Sequence, residues 1–544
     1  MKYQGLALSG EERRAIAEYI TGRKLRVALA GNTIGNCGIR QRPGDPSAGP
    51  LWNGWGPGLD NSHFQTKAQA GLTAEQVPRL HLKWAFGFPD ATSSWAQPTI
   101  AAGRLYVGSQ NGTVYALDAA SGCVVWTFAA QGGVRSSVSI GRREGSRSAG
   151  LSGPRQAGYA AYFSDQKGFV YAVDAANGKR LWTRKVDEHP LVRLTGSPAL
   201  HEGRLYVPTS SYEEGGKPPG YACCTFRGSI VALDARTGNV IWKSYTIAEE
   251  PRLLRAYADG TELRGPSGGA IWSAPTIDAK RGALYVGVGN TYSGPAQSTT
   301  DAVLAFDLKT GAMRWARQMA PSTPDVFGCT PGDVNCGERA GPDFDFGASP
   351  ILATLPGGRE LIVAGQKSGV VYALDPDKKG DQVWRYRAGG GSGLGGIQWG
   401  IATDGALVYV PVAEIYSQTP GGLHAIDLVS GTRAWYASPD ATPACGKLSR
   451  ACSGALFSAV TAIAGVVFSP SNDGVVRAHS TSDGRVIWMF DTNREFSTIS
   501  GLRAKGGSMN GPAPVVAGGL VYVSSGYGVF GLRPGNVLLA FGPE

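Results

Sequence analysis

The sequence predicts an all-β chain: an eight-bladed β-propeller with tryptophan-docking motifs, closed by strands from the two chain ends in one blade. Three observations predict it. One motif recurs seven times along the chain, half of that motif stands at each end, and glycine supplies 79 of 544 residues, roughly twice its ordinary share.

The motif is an apolar strand ending in Ala-x-Asp, a small-residue turn ending in Gly, and a strand carrying Trp. VYALDAASGCVVW ends at Trp126, VYAVDAANGKRLW at Trp182, IVALDARTGNVIW at Trp242 and VLAFDLKTGAMRW at Trp315. VYALDPDKKGDQVW ends at Trp384, LHAIDLVSGTRAW at Trp435 and VRAHSTSDGRVIW at Trp488. The intervals are 56, 60, 73, 69, 51 and 53 residues. Alternating apolar strands around a short Asp/Ser/Gly turn are a hairpin signal, and a repeat of that length built from hairpins is a propeller signal. The chain ends NVLLAFGPE, the strand without its Trp; near the start, LHLKWAFGF carries Trp84 without its Ala-x-Asp strand. Joined, the halves make an eighth blade and leave no open sheet edge.

Composition narrows the functional classes. Apolar residues make 42% and charged residues 17%, which excludes a disordered chain. No run of about 18 uninterrupted apolar residues is present, so no membrane span is expected. The net charge of +10, with a pI near 9.1, is mild over this length. No dense Lys/Arg run with interleaved aromatics occurs, so nucleic acid is not an expected partner. The six histidines form no HExxH or paired-ligand spacing, which argues against a zinc hydrolase. AGNTIGNCG, from Ala30, lacks the Gly-Lys-Ser/Thr of a phosphate loop and reads as linker.

The cysteines point to an oxidising compartment. Cys329 and Cys336 in CTPGDVNC, and Cys445 and Cys452 in CGKLSRAC, share a six-residue gap in polar segments. They read as two loops closed by disulfides, placing the protein in the periplasm or outside the cell. The first residues carry no signal-peptide core. Ala15, Ile16, Tyr19 and Ile20 instead sit at helical spacing behind Ser9-Gly-Glu-Glu, which suggests a start shortened upstream. We therefore divide the chain into residues 1–50, a helix and linker, and 51–544, the propeller. LSGEERRAIAEYI resembles the last helix of a cytochrome c domain, although no CxxCH is present to attach haem; an ordinary N-terminal helix is the other reading.

Eight blades with these turns resemble the quinoprotein alcohol dehydrogenases. WNGWGPGLDNSHFQ, LTAEQVPRLHLKWAFGF and YACCTFRGSIVALDARTG are most similar to the polyvinyl alcohol dehydrogenase branch, from about Leu51 to the C-terminus. The resemblance implies pyrroloquinoline quinone (PQQ) and Ca2+ on the propeller axis, oxidation of secondary alcohols along a polymer, and electron transfer to a cytochrome c. It also implies site residues. LYVGVGNTYSGP resembles the segment giving an Asn ligand to Ca2+, here Asn290. LYVPTSSYEEGG resembles the segment giving a carboxylate, Glu214 or Glu213, the first preferred. GPDFDFGASP resembles the segment of the catalytic base, Asp345, with Asp343 the alternative. VAGQKSGVVYALD implies Lys367 as the basic residue on the quinone oxygens, and GGAIWSAPTID implies Trp272 under the quinone rings. Thr195, Arg193 and Arg227 are expected near the quinone carboxylates. Cys223-Cys224 resembles the pair that forms an eight-membered disulfide ring over the quinone in such enzymes, but it stands one motif later; free thiols, or pairing with Cys37 or Cys123, are the alternatives. The rivals are a non-catalytic envelope scaffold propeller, a quinoprotein for small alcohols, and a sugar-polymer hydrolase or lyase, which would need paired carboxylates facing one cleft.

Overall fold

Every Ala-x-Asp strand pairs antiparallel with its Trp strand, and each such hairpin is the outer half of a four-stranded blade, to which the sheets of blades 3 and 7 add a fifth strand. The computed structural model describes residues 49–143, 158–216, 221–319, 341–415, 421–439 and 452–544, together with 16, 19, 35–38, 45 and 46. Blades 1 to 4 run, inner to outer strand, from Thr99–Ala101 to Val124–Ala129, Ser139–Arg142 to Arg180–Lys185, Ala199–His201 to Val240–Tyr245, and Thr276–Asp278 to Met313–Gln318. Blades 5 to 7 run from Ile351–Thr354 to Asp381–Arg387, Ala402–Thr403 to Arg433–Ala437, and Thr461–Ile463 to Val486–Asp491. Blade 8 takes Val515–Ala517, Leu520–Ser525 and Val537–Gly542 from the C-terminus and His81–Gly87 from the N-terminal side, with Leu82 opposite Phe541 and Trp84 opposite Ala540. The eight blades and the joined closing blade are as expected from the half-motifs.

The motif is an inter-blade clasp. Trp126 Nε1 donates to the Ala175 carbonyl just past the Asp of blade 2 at 3.0 Å. Trp182 does the same to Ala235, Trp384 to Leu428 and Trp435 to Thr481, at 2.7–3.0 Å. Trp84 closes the ring by donating to Ala119 of blade 1 at 3.3 Å. Trp242 Nε1 makes no hydrogen bond, yet its ring still lies against the next turn glycine, Gly311. That glycine explains the last turn position. Gly178, at φ 73°, faces the Trp126 ring so closely that a Cβ would lie 2.7 Å from it. Both the positive φ and the missing Cβ are required. The Asp of the motif holds the turn itself: Asp234 Oδ1 accepts from Thr237 N at 2.7 Å and Thr237 Oγ1 at 2.9 Å, an Asx-type turn.

A second device was not expected. Residues 52–65 run round the channel as a belt and bond the second residue of the inner strand in seven of the eight blades. Trp52 exchanges both backbone bonds with Ile100 at 2.8 and 2.9 Å, and the Asn53 amide pairs with Ile140 of blade 2. The carbonyls of Leu59, Asp60, Ser62 and His63 then accept from Ile277, Leu352, Thr403 and Ala462 of blades 4 to 7, at 2.9–3.0 Å. Phe64–Gln65 joins blade 7 as a parallel fifth strand, and Gln65 Nε2 reaches the Val516 carbonyl of blade 8 at 3.1 Å. His63 is packed edge-on to both Trp52 and Trp55, and burial pushes its imidazole down to about 4, so the belt carries a neutral ring at this point.

The cysteine pattern resolves in part. Cys37 bonds Cys123 in the turn of blade 1, and Cys223 bonds Cys224 through a cis peptide. Cys452 is disulfide-bonded; Cys329, Cys336 and Cys445 lie outside the described residues. Of the expected N-terminal helix only Ile16 and Tyr19 are described, both helical and exposed. Among the described residues no helix is long and apolar enough to cross a membrane.

Candidate active site

Blades present equivalent positions to the axis, and one of these defines the site. In register, Ser139, Ala199, Thr276, Ala402 and Thr461 each face an aromatic residue on the next strand: Tyr162, Tyr206, Tyr285, Tyr409 and Phe468. Four residues before each stand Arg135, Thr195, Trp272, Gln398 and Phe457. All five line one cavity of about 260 Å3 on the axis. The belt bonds residues within the inner strands whereas the cavity is lined by residues preceding them, so the two occupy successive levels of the channel.

Trp272 is fixed as a flat wall. Its ring lies over Gly347, where a Cβ would stand inside the indole, and edge-on to Trp399 at 4.9 Å. Trp272 Nε1 donates to Asp345 Oδ2 at 3.1 Å. Asp345 lies just ahead of the inner strand of blade 5. Its Oδ1 accepts from the backbone N of Asn290 at 2.7 Å. Gly289 makes that approach possible: a Cβ there would be 2.9 Å from the same oxygen, which is why GVGN carries glycine before the Asn. The Asn290 amide reaches Glu214 Oε2 at 2.9 Å. Glu214 stands on the short helix Glu213–Gly216 that follows strand Arg204–Ser211. Asp345, Asn290 and Glu214 thus bring two carboxylates and an amide to the cavity.

Lys367, at the hairpin tip between strands Glu360–Gly365 and Val370–Asp375, closes this cluster. Its Nζ lies 2.8 Å from Asp345 Oδ2 and 3.0 Å from Asp343 Oδ2, and 5.3 Å from the Trp272 ring centre. Burial works against the ammonium, but the two carboxylates outweigh it and hold Lys367 charged beyond its ordinary range. One ammonium does not neutralise two carboxylates. Burial, followed by the neighbouring Asp345 and Glu214 charges, accordingly pushes Asp343 above the usual carboxylate range even though Lys367 opposes it.

Two arginines also line the cavity. Arg193 is buried, donates to Gln166 Oε1 at 3.1 Å and lies over the Tyr212 ring at 3.9 Å. Burial pulls its guanidinium below the usual value, and nearby Arg135 adds to that. Arg135 lies over Trp399 at 4.0 Å and donates to Tyr527 at 3.2 Å; its Nη2 is buried with no hydrogen-bond partner. Among the described residues neither guanidinium has a carboxylate within ion-pair distance. Ser210 Oγ lies 3.1 Å from Thr195 Oγ1 beside them. Leu394, Phe457 and Phe530 supply an apolar wall.

Of the expected site residues, the cavity gathers Asp345, Lys367, Trp272, Asn290, Glu214, Thr195 and Arg193. Asp343 stands behind, in contact with Lys367. Four expected residues lie elsewhere. Glu213 is buried away from the cavity because its carboxylate accepts Thr225 N at 2.7 Å and Phe226 N at 2.8 Å. Arg227 is held by the carbonyls of Ile247, Ala248 and Glu249 over the Tyr245 ring, in a separate surface recess. Cys223 and Cys224 are wholly buried behind Phe226 and Tyr292, bonded to the backbone of Glu262 and Arg264, and do not line the cavity. Sequence reasoning missed Arg135, Gln398, Trp399 and Phe457; the four-residue offset from the inner strand marks three of them.

Comparison with known proteins follows this geometry. A family model described as outer membrane protein assembly factor BamB matches residues 81–326 and 261–540. The crystal structure of the quinohemoprotein alcohol dehydrogenase from Comamonas testosteroni superposes with a TM-score of 0.63 at 19% identity, over 91% of this chain and 80% of that one; that likeness shows the fold. Matches in sequence to quinohemoprotein alcohol dehydrogenases reach 25% identity over 58% of this chain and 44% of the Comamonas protein. Fold and relatives together define the class: a PQQ-type alcohol dehydrogenase on an eight-bladed propeller. Within it, the polyvinylalcohol dehydrogenase of a Pseudomonas species is 44% identical over 92% of this chain and 78% of its own length. That of Sphingopyxis sp. strain 113P3 is 40% identical over 93% and 78%. The chain belongs to the polyvinyl alcohol dehydrogenase family.

Proposed function

We propose that this chain oxidises secondary alcohols, the hydroxyls of polyvinyl alcohol among them, to ketones, with PQQ and Ca2+ in the axial cavity and a cytochrome c as electron acceptor. The observation that carries the reading is the pair of buried guanidiniums, Arg135 and Arg193, without a carboxylate at ion-pair distance among the described residues, one with an unpartnered Nη2. Buried charges are ordinarily paired, and a polycarboxylate cofactor supplies what these two lack. The rest of the donor set agrees. Trp272 offers a rigid flat face. Glu214 and the Asn290 amide would offer Ca2+ hard oxygens of the kind it takes, fewer than its roughly six to eight. When bound, the quinone supplies two-electron oxidation and the cation Lewis acidity.

The chain's own residues do the rest. Asp345, among the three donors that orient it, takes the hydroxyl proton of the alcohol. Lys367 stabilises the carboxylate before that transfer and holds its position. Arg135, Arg193 and Thr195 orient the cofactor from one end, and Leu394, Phe457 and Phe530 keep water from the reacting carbon. The disulfides Cys37–Cys123 and Cys223–Cys224, with Cys452 also disulfide-bonded, support an oxidising compartment, periplasmic or extracellular.

The test is dye-linked oxidation by purified protein given PQQ and Ca2+, against polyvinyl alcohol and small secondary alcohols, with a no-quinone control. We expect quinone-dependent turnover with the polymer oxidised at least as well as the small alcohols. Turnover confined to small alcohols overturns the polymer assignment. No quinone-dependent turnover leaves a scaffold propeller as the better reading.

A further inference from the structure

Between blades 5 and 6 the chain runs AGGGSGLGG, from Ala388 to Gly396. A stretch so rich in glycine has a high entropy cost of ordering, yet here it is closely packed. One carboxylate gathers part of it. Glu414, just past strand Leu407–Val412, is 7% exposed. Its Oε1 accepts the backbone N–H of Gly391 at 2.8 Å and of Gly396 at 3.1 Å. A Cβ on Gly389 would lie on that carboxylate. The outer side of the loop is equally close to the hairpin tip that carries Lys367. Ser392 N donates to the Lys367 carbonyl and Ile397 N to that of Gln366, both at 3.2 Å, and a Cβ on Gly396 would lie on the Lys367 carbonyl.

We propose that Glu414 is a positioning residue for alcohol binding: its buried carboxylate gathers the glycine-rich loop so that Gly393 and Leu394 stand as one wall of the substrate cavity. Gly393 and Leu394 line that cavity and Glu414 does not. Leu394 packs with Phe457 and Phe530, the other apolar members of the wall. Without the carboxylate the Gly391 and Gly396 N–H groups lose their acceptor, and the glycine-rich backbone then gains more freedom on opening than other residues would. Leu394 then leaves its neighbours, and a bulky alcohol loses more contact than a small one.

The inference rests on the proposed reading of the cavity, and the experiment separates the two. Amide hydrogen exchange over residues 389–396 is measured in the quinone-loaded wild type, E414A and E414Q. Steady-state kinetics are followed with 2-propanol and with a long-chain secondary alcohol. E414A exchanges faster at Gly391 and Gly396. Its KM for the long alcohol rises about tenfold, a change worth about 1.4 kcal/mol, while KM for 2-propanol and both kcat values stay within about threefold. E414Q, whose amide oxygen accepts the same two bonds, restores the exchange rates and the KM. Unchanged exchange in E414A overturns the clamp, whatever the activity. Unchanged KM ratio between the two alcohols, with faster exchange, overturns the role in substrate binding. Should E414A fail to fold, E414D, one methylene short, carries both measurements. Wild-type protein without quinone-dependent turnover counts against the cavity reading alone.

Discussion

Asp345→Asn abolishes alcohol oxidation and leaves quinone binding within about threefold of wild type. The amide keeps the size of the carboxylate but takes no proton, so the loss expected is that of a general base, about 10^2–10^4 in kcat. The surroundings sharpen the expectation. Asp345 accepts from Lys367, Trp272 and the backbone of Asn290. Every partner is a donor, so either orientation of an Asn amide turns its NH2 group against one of them. A stability loss of about 1–3 kcal/mol accompanies the substitution. Single-turnover rates and quinone titration on the same preparation separate the chemical step from binding. An Asp345→Asn protein with wild-type turnover moves the base to Asp343, the other carboxylate on Lys367.

Lys367→Met is the second large effect. Removing the ammonium leaves Asp343 and Asp345 buried at 4% exposure without the cation between them. Breaking a buried pair in this way costs about 3–5 kcal/mol. The sign with pH follows from the carboxylates. Asp343 is raised in the folded protein by burial and by its acidic neighbours, so its contribution favours the fold at low pH and is lost as pH rises through its folded value. Without Lys367 the Asp343 carboxylate is more costly to ionise, since Lys367 is the group that opposes its rise. The stability gap between variant and wild type is therefore larger at high pH and shrinks as the pH falls and Asp343 takes up its proton. Chemical denaturation at pH 5 and pH 8 checks it, and the double variant Lys367→Met, Asp343→Asn recovers part of the loss at pH 8. Equal losses at both pH values, with no recovery in the double variant, contradict the ion-triad account.

How much of this was legible in the sequence follows from which groups make the contacts. The blade count was readable because the clasp uses side chains at fixed spacing: a Trp, an Asp and a turn glycine, with the half-motifs giving the closure. The belt of residues 52–65 was not. Its bonds to blades 4 to 7 run through backbone carbonyls, which leave no residue-type signal, and WNGWGPGLDNSH stood out only as a family resemblance. The same distinction divides the site. Asp345, Asn290, Glu214 and Lys367 line the cavity and stand on segments with recognisable neighbours. Glu213 came in because the register of the matching segment admitted either glutamate, and Arg227 by its charge, but their partners include main-chain groups of residues 225–226 and 247–249. Arg135, in QGGVRSSVS, belongs to no recognised motif. Only the register of the inner strands reveals that it shares a position with Thr195 and Trp272.

The central claim is that the axial cavity is a quinone site, and direct titration tests it. PQQ is added to the purified chain with Ca2+ while indole fluorescence is followed, since Trp272 and Trp399 line the cavity. The account predicts saturable quenching at one equivalent per chain, dependent on Ca2+ and weakened about tenfold or more by Arg135→Leu. Absence of saturable quenching with Ca2+ present, or binding indifferent to Arg135, would contradict it.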